Sequence, residues 1–363
     1  MDKLSKNITF YQKIKKKFFP FYKSKDIKNL FNILEKAKPK DVQVAMFVGG
    51  CVRKFLNNES IDDIDIATIF SPEEIKEKFK DSNFKIIDTG IEHGSVTAVI
   101  NSNKFEITTL RKDIKTDGRH AEVSFTDSWK YDSERRDFTI NAIYMDIRGK
   151  IYNPQNGRED LKKNIINFIG DPSKRIEEDY LRIIRYLRFC VQYKIKHSDY
   201  KIIEAIKINL NGIKNLSKER VLSELYKIFN LKNIEVLLEN KEINSIFLLI
   251  FPEFKYLERL KKNTFFENSE LVFSLLLIDE KDNYEYFSHK YKVSNDLKKN
   301  LNFIAKNYIR FKEEKNFFKK DLKKNIYNCG KQNIKLLIKF IYCAETKFSA
   351  KQISNLLNEV DEI

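Results

Sequence analysis

A short apolar run, residues 42–48 (VQVAMFV), stops on two consecutive glycines, Gly49 and Gly50, and no other feature limits the fold as tightly. A run of that length reads as a buried strand, and paired glycines behind it read as a tight turn. Residues 51–56 suit a short helix. Residues 63–69 (DIDIATI) then alternate acid with apolar side chains, the two-residue period of a second strand. Ser71-Pro72-Glu73-Glu74 supplies an N-cap, a proline at the first helical position and a glutamate three beyond the cap, so a helix to about Lys80 is predicted. Residues 84–88, 95–100 and 104–110 read as further strands, and 141–147 with 151–152 as a hairpin across Arg148-Gly149-Lys150.

Beyond Asn156 the pattern changes. Asp171-Pro172 reads as an N-cap followed by proline and opens one long predicted helix running through 178–190. From there to Ile363 apolar residues recur at three- and four-residue spacing, as in 217–229 and 334–342, and only Pro252 follows Pro172. The predicted class is α+β: a mixed-sheet head followed by an all-helical half.

Apolar residues make up 42% of the 363, enough for a real core. No apolar run approaches the ~18–20 residues of a membrane-spanning helix. The four cysteines (Cys51, Cys190, Cys329, Cys343) lie far apart with no CxxC pair, so neither a disulfide scaffold nor a zinc site is indicated, and a reduced, cytoplasmic location is expected. Lys and Arg number 68 against 52 Asp and Glu, a formal charge of +16. The excess sits at the ends, with 12 Lys against three acids in residues 1–40 and 16 Lys/Arg against eight acids in 291–363. Such a balance suits a polyanionic partner, chiefly nucleic acid; AT-rich coding is the plainer source of so much lysine. The Lys13–Lys17 cluster has no apolar core behind it and does not read as a secretory signal. A helix over about half of the first 25 residues is expected.

Three blocks carry chemistry. In the first, Gly49-Gly50-Cys51-Val52-Arg53 precedes Asp63-Ile64-Asp65. Side chains at i and i+2 of a strand share a face, so Asp63 and Asp65 would project together. Two adjacent carboxylates repel unless a cation sits between them, and Mg²⁺ takes one or two carboxylates plus substrate phosphates. The glycines allow close approach of backbone to phosphate, and Arg53 adds a fixed positive charge. Glu106, within KFEITTLR, would join the same ion and act as base toward a hydroxyl if its strand neighbours the first. The plainer alternative for all three acids is a solvated strand face.

The second block is Arg135-Arg136-Asp137-Phe138-Thr139-Ile140-Asn141, in which Arg136, Asp137 and Asn141 suit a triphosphate and ribose hydroxyls, or else form a surface ion-pair cluster. The third is EDYLRIIRYLRF, residues 178–189. Asp179, Arg182, Arg185 and Arg188 recur at three-residue intervals, a slowly drifting helical stripe. The arginines repel one another by a few tenths of a kcal/mol per pair, a cost that an anionic ligand would turn to use; a solvated face is the alternative. Asp179 only accepts hydrogen bonds and Arg182 only donates. Cytosine and adenine both offer an amino donor beside a ring-nitrogen acceptor, so this pair matches C and A and leaves groups unpaired against G and U.

In this order the blocks GGCVR, DID, FEITTLR, RRDFTINA and EDYLRIIRYLRF resemble the class II tRNA nucleotidyltransferase and bacterial poly(A) polymerase family from about Phe47 to Phe189. Residues 116–126 (TDGRHAEVSFT), with Trp129 after them, are similar to mitochondrial and alphaproteobacterial CCA-adding members. The resemblance implies a small polymerase-β-like head (1–155), a helical neck with a base-templating helix (156–230), and a body and tail that hold tRNA (231–363). It implies that Asp63 and Asp65 hold catalytic Mg²⁺ with Glu106 as third carboxylate. Gly49, Gly50 and Arg53 would meet the nucleotide phosphates, and Arg136, Asp137 and Asn141 the nucleotide and ribose. Asp179 and Arg182 would read the base, with Arg185 and Arg188 beside them. The implied reaction adds CCA, or part of it, to tRNA from CTP and ATP. A poly(A) polymerase, a CC-only or A-only enzyme, and a non-catalytic RNA-binding protein are the alternatives. A segment switching CTP for ATP is expected within 88–122. The family usually has Asp where this chain has Lys54, which should alter local ion pairs only, and no His-Asp phosphohydrolase pattern follows the neck. The sequence does not separate a monomer from a homodimer.

Overall fold

The computed structural model describes residues 20–39, 42–116, 121–265, 268–314, 317–319, 321–345 and 347–363, without the side chains of 114–116 and 121–122. The predicted N-terminal helix within 1–19, and residues 117–120 of the TDGRHAEVSFT segment, lie outside them. The chain divides into two compact units, 1–179 and 180–363. Residues 156–179 of the stretch expected as a neck pack with the first unit, and 180–230 with the second.

The first unit is built on a seven-stranded mixed sheet in the order β3-β4-β5-β2-β1-β8-β9. The strands are β1 (Ala45–Val48), β2 (Ile64–Thr68), β3 (Lys85–Gly90), β4 (Ser95–Ile100), β5 (Asn103–Thr109), β8 (Tyr144–Met145) and β9 (Ile151–Tyr152). Only β2 and β5 run parallel; their register sets Asp65 opposite Glu106. Helix α1 (Lys25–Leu34) is capped by Ser24 and buries Ile27, Leu30, Phe31 and Leu34, an i, i+3, i+4, i+7 stripe. That stripe covers one sheet face, with Phe31 and Phe47 rings 4.7 Å apart. Helix α2 (Gly50–Leu56) follows the glycine pair. Helix α3 (Pro72–Phe79) starts at the predicted capping box, with Ser71 and Glu74 each satisfying the other's backbone N–H.

The opposite sheet face carries Met46, Val48, Ala67 and Tyr144, which pack with Leu110, Ile69 and Trp129. Asp65 lies two residues before Ala67 and so shares this face. β6 (Arg111–Thr116) and β7 (Ala121–Phe125) form a separate two-stranded ribbon that was not predicted. RKDIKT has a single apolar residue and so lacks the period that marks a strand. Helix α4 (Trp129–Glu134) then leads into a single 3₁₀ turn at Thr139–Asn141, so the predicted strand over 141–147 shrinks to Tyr144–Met145. Helix α5 (Gly157–Lys163) begins where a Cβ on Gly157 would stand 1.9 Å from the Thr139 carbonyl oxygen. That oxygen is backbone and cannot swing aside. Gly157→Ala is therefore expected to destabilise the head by about 3 kcal/mol, read as a fall in the melting temperature.

The predicted single helix over 172–190 is corrected to two: α6 (Pro172–Glu178) and α7 (Leu181–Gln192). Asp179 between them is extended, at φ −157° and ψ 103°. Glu177, Glu178 and Asp179 oppose the dipole of a helix that ends there and favour one that begins just beyond. Three acids in a row thus mark a boundary that apolar periodicity runs straight across.

Among its described residues the second unit has helices joined by turns and no strand. It opens with α7, α8 (Tyr200–Asn209) and α9 (Lys218–Phe229). Its core is rich in phenylalanine: the rings of Phe229, Phe247, Phe254, Phe273 and Phe287 meet stacked, tilted or edge-on at 4.7–6.4 Å. Such rings bury large apolar area in few residues. A second cluster, Leu322, Ile326, Ile334, Ile338, Ile353 and Val360, closes the C-terminal helices. Among the described residues no helix is long and apolar enough to cross a membrane.

Candidate active site

The site is assembled where β1 hands over to α2. Gly49 has φ +69° and ψ −122°, a conformation that side chains oppose, so the turn after the apolar strand demands glycine. A Cβ there would lie 3.8 Å from Nη1 of Arg136 and 3.9 Å from Oδ2 of Asp65; one on Gly50 would lie 3.8 Å from the same carboxylate oxygen. The bare glycine edge therefore faces an acid and a base across a space no side chain occupies. Cys51, buried behind it, points its thiol at the Val48 carbonyl, and burial pushes that thiol up to about 11. It is a packing group, not a nucleophile.

Asp65 and Glu106 stand side by side on β2 and β5, and Asp63 sits one residue ahead of β2, exposed. Burial pushes the Asp65 carboxyl up to about 6, and the charges of Glu106 and Asp63 push the same way; Arg136 and Arg53 pull against them. Two arginines do not offset the three acids and their desolvation, so the cluster is short of positive charge. Among the described residues no three His, Cys, Asp or Glu side chains close into a ready-made metal cage. A pair of carboxylates completed by ligand oxygens needs no such cage.

The second block docks onto the first. Arg53 donates to Oδ1 of Asn141, whose Nδ2 donates to Oδ1 of Asp137 at 2.7 Å. Arg136 reaches the Asn141 carbonyl through Nη1 at 3.4 Å. Arg53 and Asn141 are 6% and 8% exposed, so the link between the blocks lies inside the head. Gly49, Gly50, Arg53, Asp65, Arg136, Asp137 and Asn141 thus meet in one place, with Glu106 and Asp63 at its edge. Lys54 pairs with Asp62, the neighbour of Asp63, at 2.8 Å.

The third block is divided. Asp179 is the last residue of the first unit, and Arg182, Arg185 and Arg188 lie on α7 in the second. The arginine stripe is neither bare repulsion nor a solvated face. Arg188 Nε binds Oε2 of Glu224 on α9 at 2.6 Å, and Arg185 and Lys227 approach Oε1 at 3.9 and 2.8 Å. Glu224 is 2% exposed; burial opposes its charge, and Arg188, Lys227 and Arg185 hold it below the usual carboxylate range. Sequence reasoning missed this acid. Its signal is position: Glu224 lies three after Val221 and four before Ile228, on the apolar face of α9.

Asp132 was missed too. It is wholly buried on α4 and takes Arg135 and Arg136, three and four residues on, together with the Tyr144 hydroxyl. The i, i+3 and i, i+4 spacing of one acid before two arginines is legible in KYDSERR once that segment is read as helix.

Comparison with known proteins gives a consistent set of neighbours. A model described as the poly A polymerase head domain matches residues 45–167. The mitochondrial CCA tRNA nucleotidyltransferase 1 of Homo sapiens is 40% identical over 228 residues, 62% of this chain and 52% of that one. The chain thus spans about half the length of the mitochondrial relatives it matches. The CCA-adding enzyme of Staphylococcus saprophyticus is 34% identical over 311 residues, 85% of this chain and 76% of that one. Among solved structures, the Bacillus stearothermophilus CCA-adding enzyme in complex with CTP superposes with a TM-score of 0.75 at 24% identity, covering 93% of this chain and 82% of that one.

Proposed function

The chain belongs to the family of CCA-adding tRNA nucleotidyltransferases, and from that premise we propose that it extends the 3′ end of tRNA with C, C and A, using CTP and ATP and releasing pyrophosphate. The observation that carries this reading is the pairing of Asp65 with Glu106 across β2 and β5, beside Gly49-Gly50 and the Arg53–Asn141–Asp137 link.

The acids fit a divalent cation. Asp65 is pushed up by burial and by like charge from Glu106 and Asp63, and a cation bound among these acids would offset that repulsion. Donors that are all oxygen, next to a triphosphate, favour Mg²⁺, with Asp63 and Asp65 as its protein ligands. When bound, the ion neutralises phosphate charge and orients the reacting oxygens.

The chain's own groups do the rest. Arg136 and Arg53 hold the triphosphate against the bare backbone at Gly49-Gly50. Asp137 and Asn141 accept and donate to the ribose hydroxyls. Glu106, exposed beside Asp65, takes the proton of the terminal ribose hydroxyl as its oxygen bonds to the α-phosphorus and the bond to pyrophosphate breaks. Asp179 and Arg182 choose the base, Arg185 and Arg188 fix the helix that carries Arg182, and residues 88–122, with the β6–β7 ribbon at their end, shift the preference from C to A. The helical body and tail grip tRNA by backbone and shape. The unpaired cysteines suit a reducing compartment, the cytoplasm.

The test is incubation of the purified chain with tRNA lacking CCA, Mg²⁺ and labelled nucleotides one at a time. Two C followed by one A is the expected product. Long A tails would instead mean polyadenylation, and no incorporation would mean a binding protein. tRNA binding should weaken by about 10³-fold or more between 50 and 200 mM salt if some six phosphates are contacted.

A further inference from the structure

We propose that Asp132 is a positioning residue for nucleotide binding: it aims the guanidinium of Arg136 at the space in front of Gly49, and Tyr144 locks the pair. The inference rests on the reading of Arg136 as a triphosphate ligand.

Asp132 has no exposed surface, and all its contacts are within the head. Its Oδ2 accepts from Nε and Nη2 of Arg136 at 3.2 and 3.0 Å and from the Tyr144 hydroxyl at 2.7 Å. Its Oδ1 accepts from Nε of Arg135 at 2.8 Å and from the backbone N–H of Arg111, the first residue of β6, at 3.4 Å. Burial alone would raise this carboxyl, but Arg136 and Arg135 beside it hold it far below the usual range, so it is ionised at every working pH. Nε and Nη2 converge on the one oxygen Oδ2, and the Tyr144 oxygen is a second acceptor for Nε, so this edge of the guanidinium is held from two sides.

The rest of Arg136 is fixed by the same frame. Nε also donates to the Tyr144 oxygen at 3.1 Å, and the guanidinium carbon lies 5.3 Å from the centre of that ring. Nη1 donates to the Asn141 carbonyl, and it is the atom that stands 3.8 Å from a Cβ built on Gly49. Of the five N–H bonds of an arginine, one each on Nε, Nη1 and Nη2 is used within the head. The second N–H of Nη1 is left on the glycine side. Tyr144 sits in the apolar floor with Met46, Val48 and Ala67, so the aim of Arg136 is tied to the strands that carry the acids.

The test is calorimetric binding of CTP with Mg²⁺ to the full chain, wild type and variants, alongside steady-state addition to tRNA. Tyr144→Phe keeps the ring in the core and removes only the hydroxyl. It is expected to weaken CTP binding about threefold, and Asp132→Asn about tenfold or more, with the KM for tRNA within about twofold of wild type. The deciding readout is coupling: in an Arg136→Ala background, Tyr144→Phe should have no further effect on CTP affinity. If Asp132→Asn does not fold, the Tyr144→Phe cycle decides alone. Unchanged CTP affinity in folded Tyr144→Phe, or equal losses with and without Arg136, would overturn the inference. Wild type that binds CTP but adds nothing to tRNA would sink the functional reading and leave this test standing.

Discussion

Asp65→Asn is expected to abolish nucleotide addition and, in metal-free protein, to raise the melting temperature. Both effects come from the same charge. At neutral pH an ionised Asp65 faces Glu106 and Asp63 in a partly buried setting, which is why its carboxyl is pushed up to about 6. A shift of that size, discounted for residual solvent, corresponds to about 1–2 kcal/mol of strain in the empty head. The amide removes it, so the melting temperature in EDTA should rise by a few degrees. The same change withdraws a ligand from the proposed Mg²⁺ and should lower single-turnover addition of C by about 10³-fold or more, a loss of several kcal/mol of charge stabilisation. Stability exchanged for function is the signature of an active site. A variant that is both inactive and less stable than wild type in EDTA would show that Asp65 is a structural acid.

Asp179→Ala is expected to keep addition measurable but to erase the choice among nucleotides. The carboxylate supplies the acceptor that an amino group of C or A needs, and Arg182 supplies the donor for the neighbouring ring nitrogen. Against UTP or GTP the native pair leaves buried groups unsatisfied, and removing one of them removes most of that penalty. The ratio of kcat/KM for CTP over UTP should fall by at least about a hundredfold. Exchanging the two residues should likewise relax the choice. A ratio that does not move in either variant would transfer base selection to other residues. The helix itself should survive, because Arg185 and Arg188 are anchored on Glu224.

Much of the head was legible because its signals are local. The apolar run before Gly49, the alternation through Asp63 and Asp65, and the Ser71–Glu74 box each specify an element without help from elsewhere. The parallel register that sets Glu106 opposite Asp65 was only conditional in the sequence, since nothing local says which strands are neighbours. The ribbon of β6 and β7 was missed because RKDIKT carries no apolar period, although AEVSF alternates apolar and polar residues. The break at Asp179 was missed because Tyr180, Ile183, Ile184 and Leu187 continue the helical spacing that Ile176 begins, and the three acids Glu177, Glu178 and Asp179 went unweighed. Glu224 and Asp132 escaped for a related reason. A buried carboxylate is recognisable only with the arginines it serves, and those of Glu224 come from another helix. To two members of the stripe on α7, Arg185 and Arg188, the fold itself supplies an anion, Glu224.

The proposition beneath both expectations is that Asp63 and Asp65 together hold a divalent cation beside the triphosphate. Its most direct measurement is Mn²⁺ binding, followed by electron paramagnetic resonance of the free ion, with CTP present and with wild type compared to the Asp63→Asn/Asp65→Asn double variant. Wild type with CTP should take up Mn²⁺ beyond what CTP alone retains, and the double variant should take up none of that excess. Equal uptake by the two proteins would contradict it.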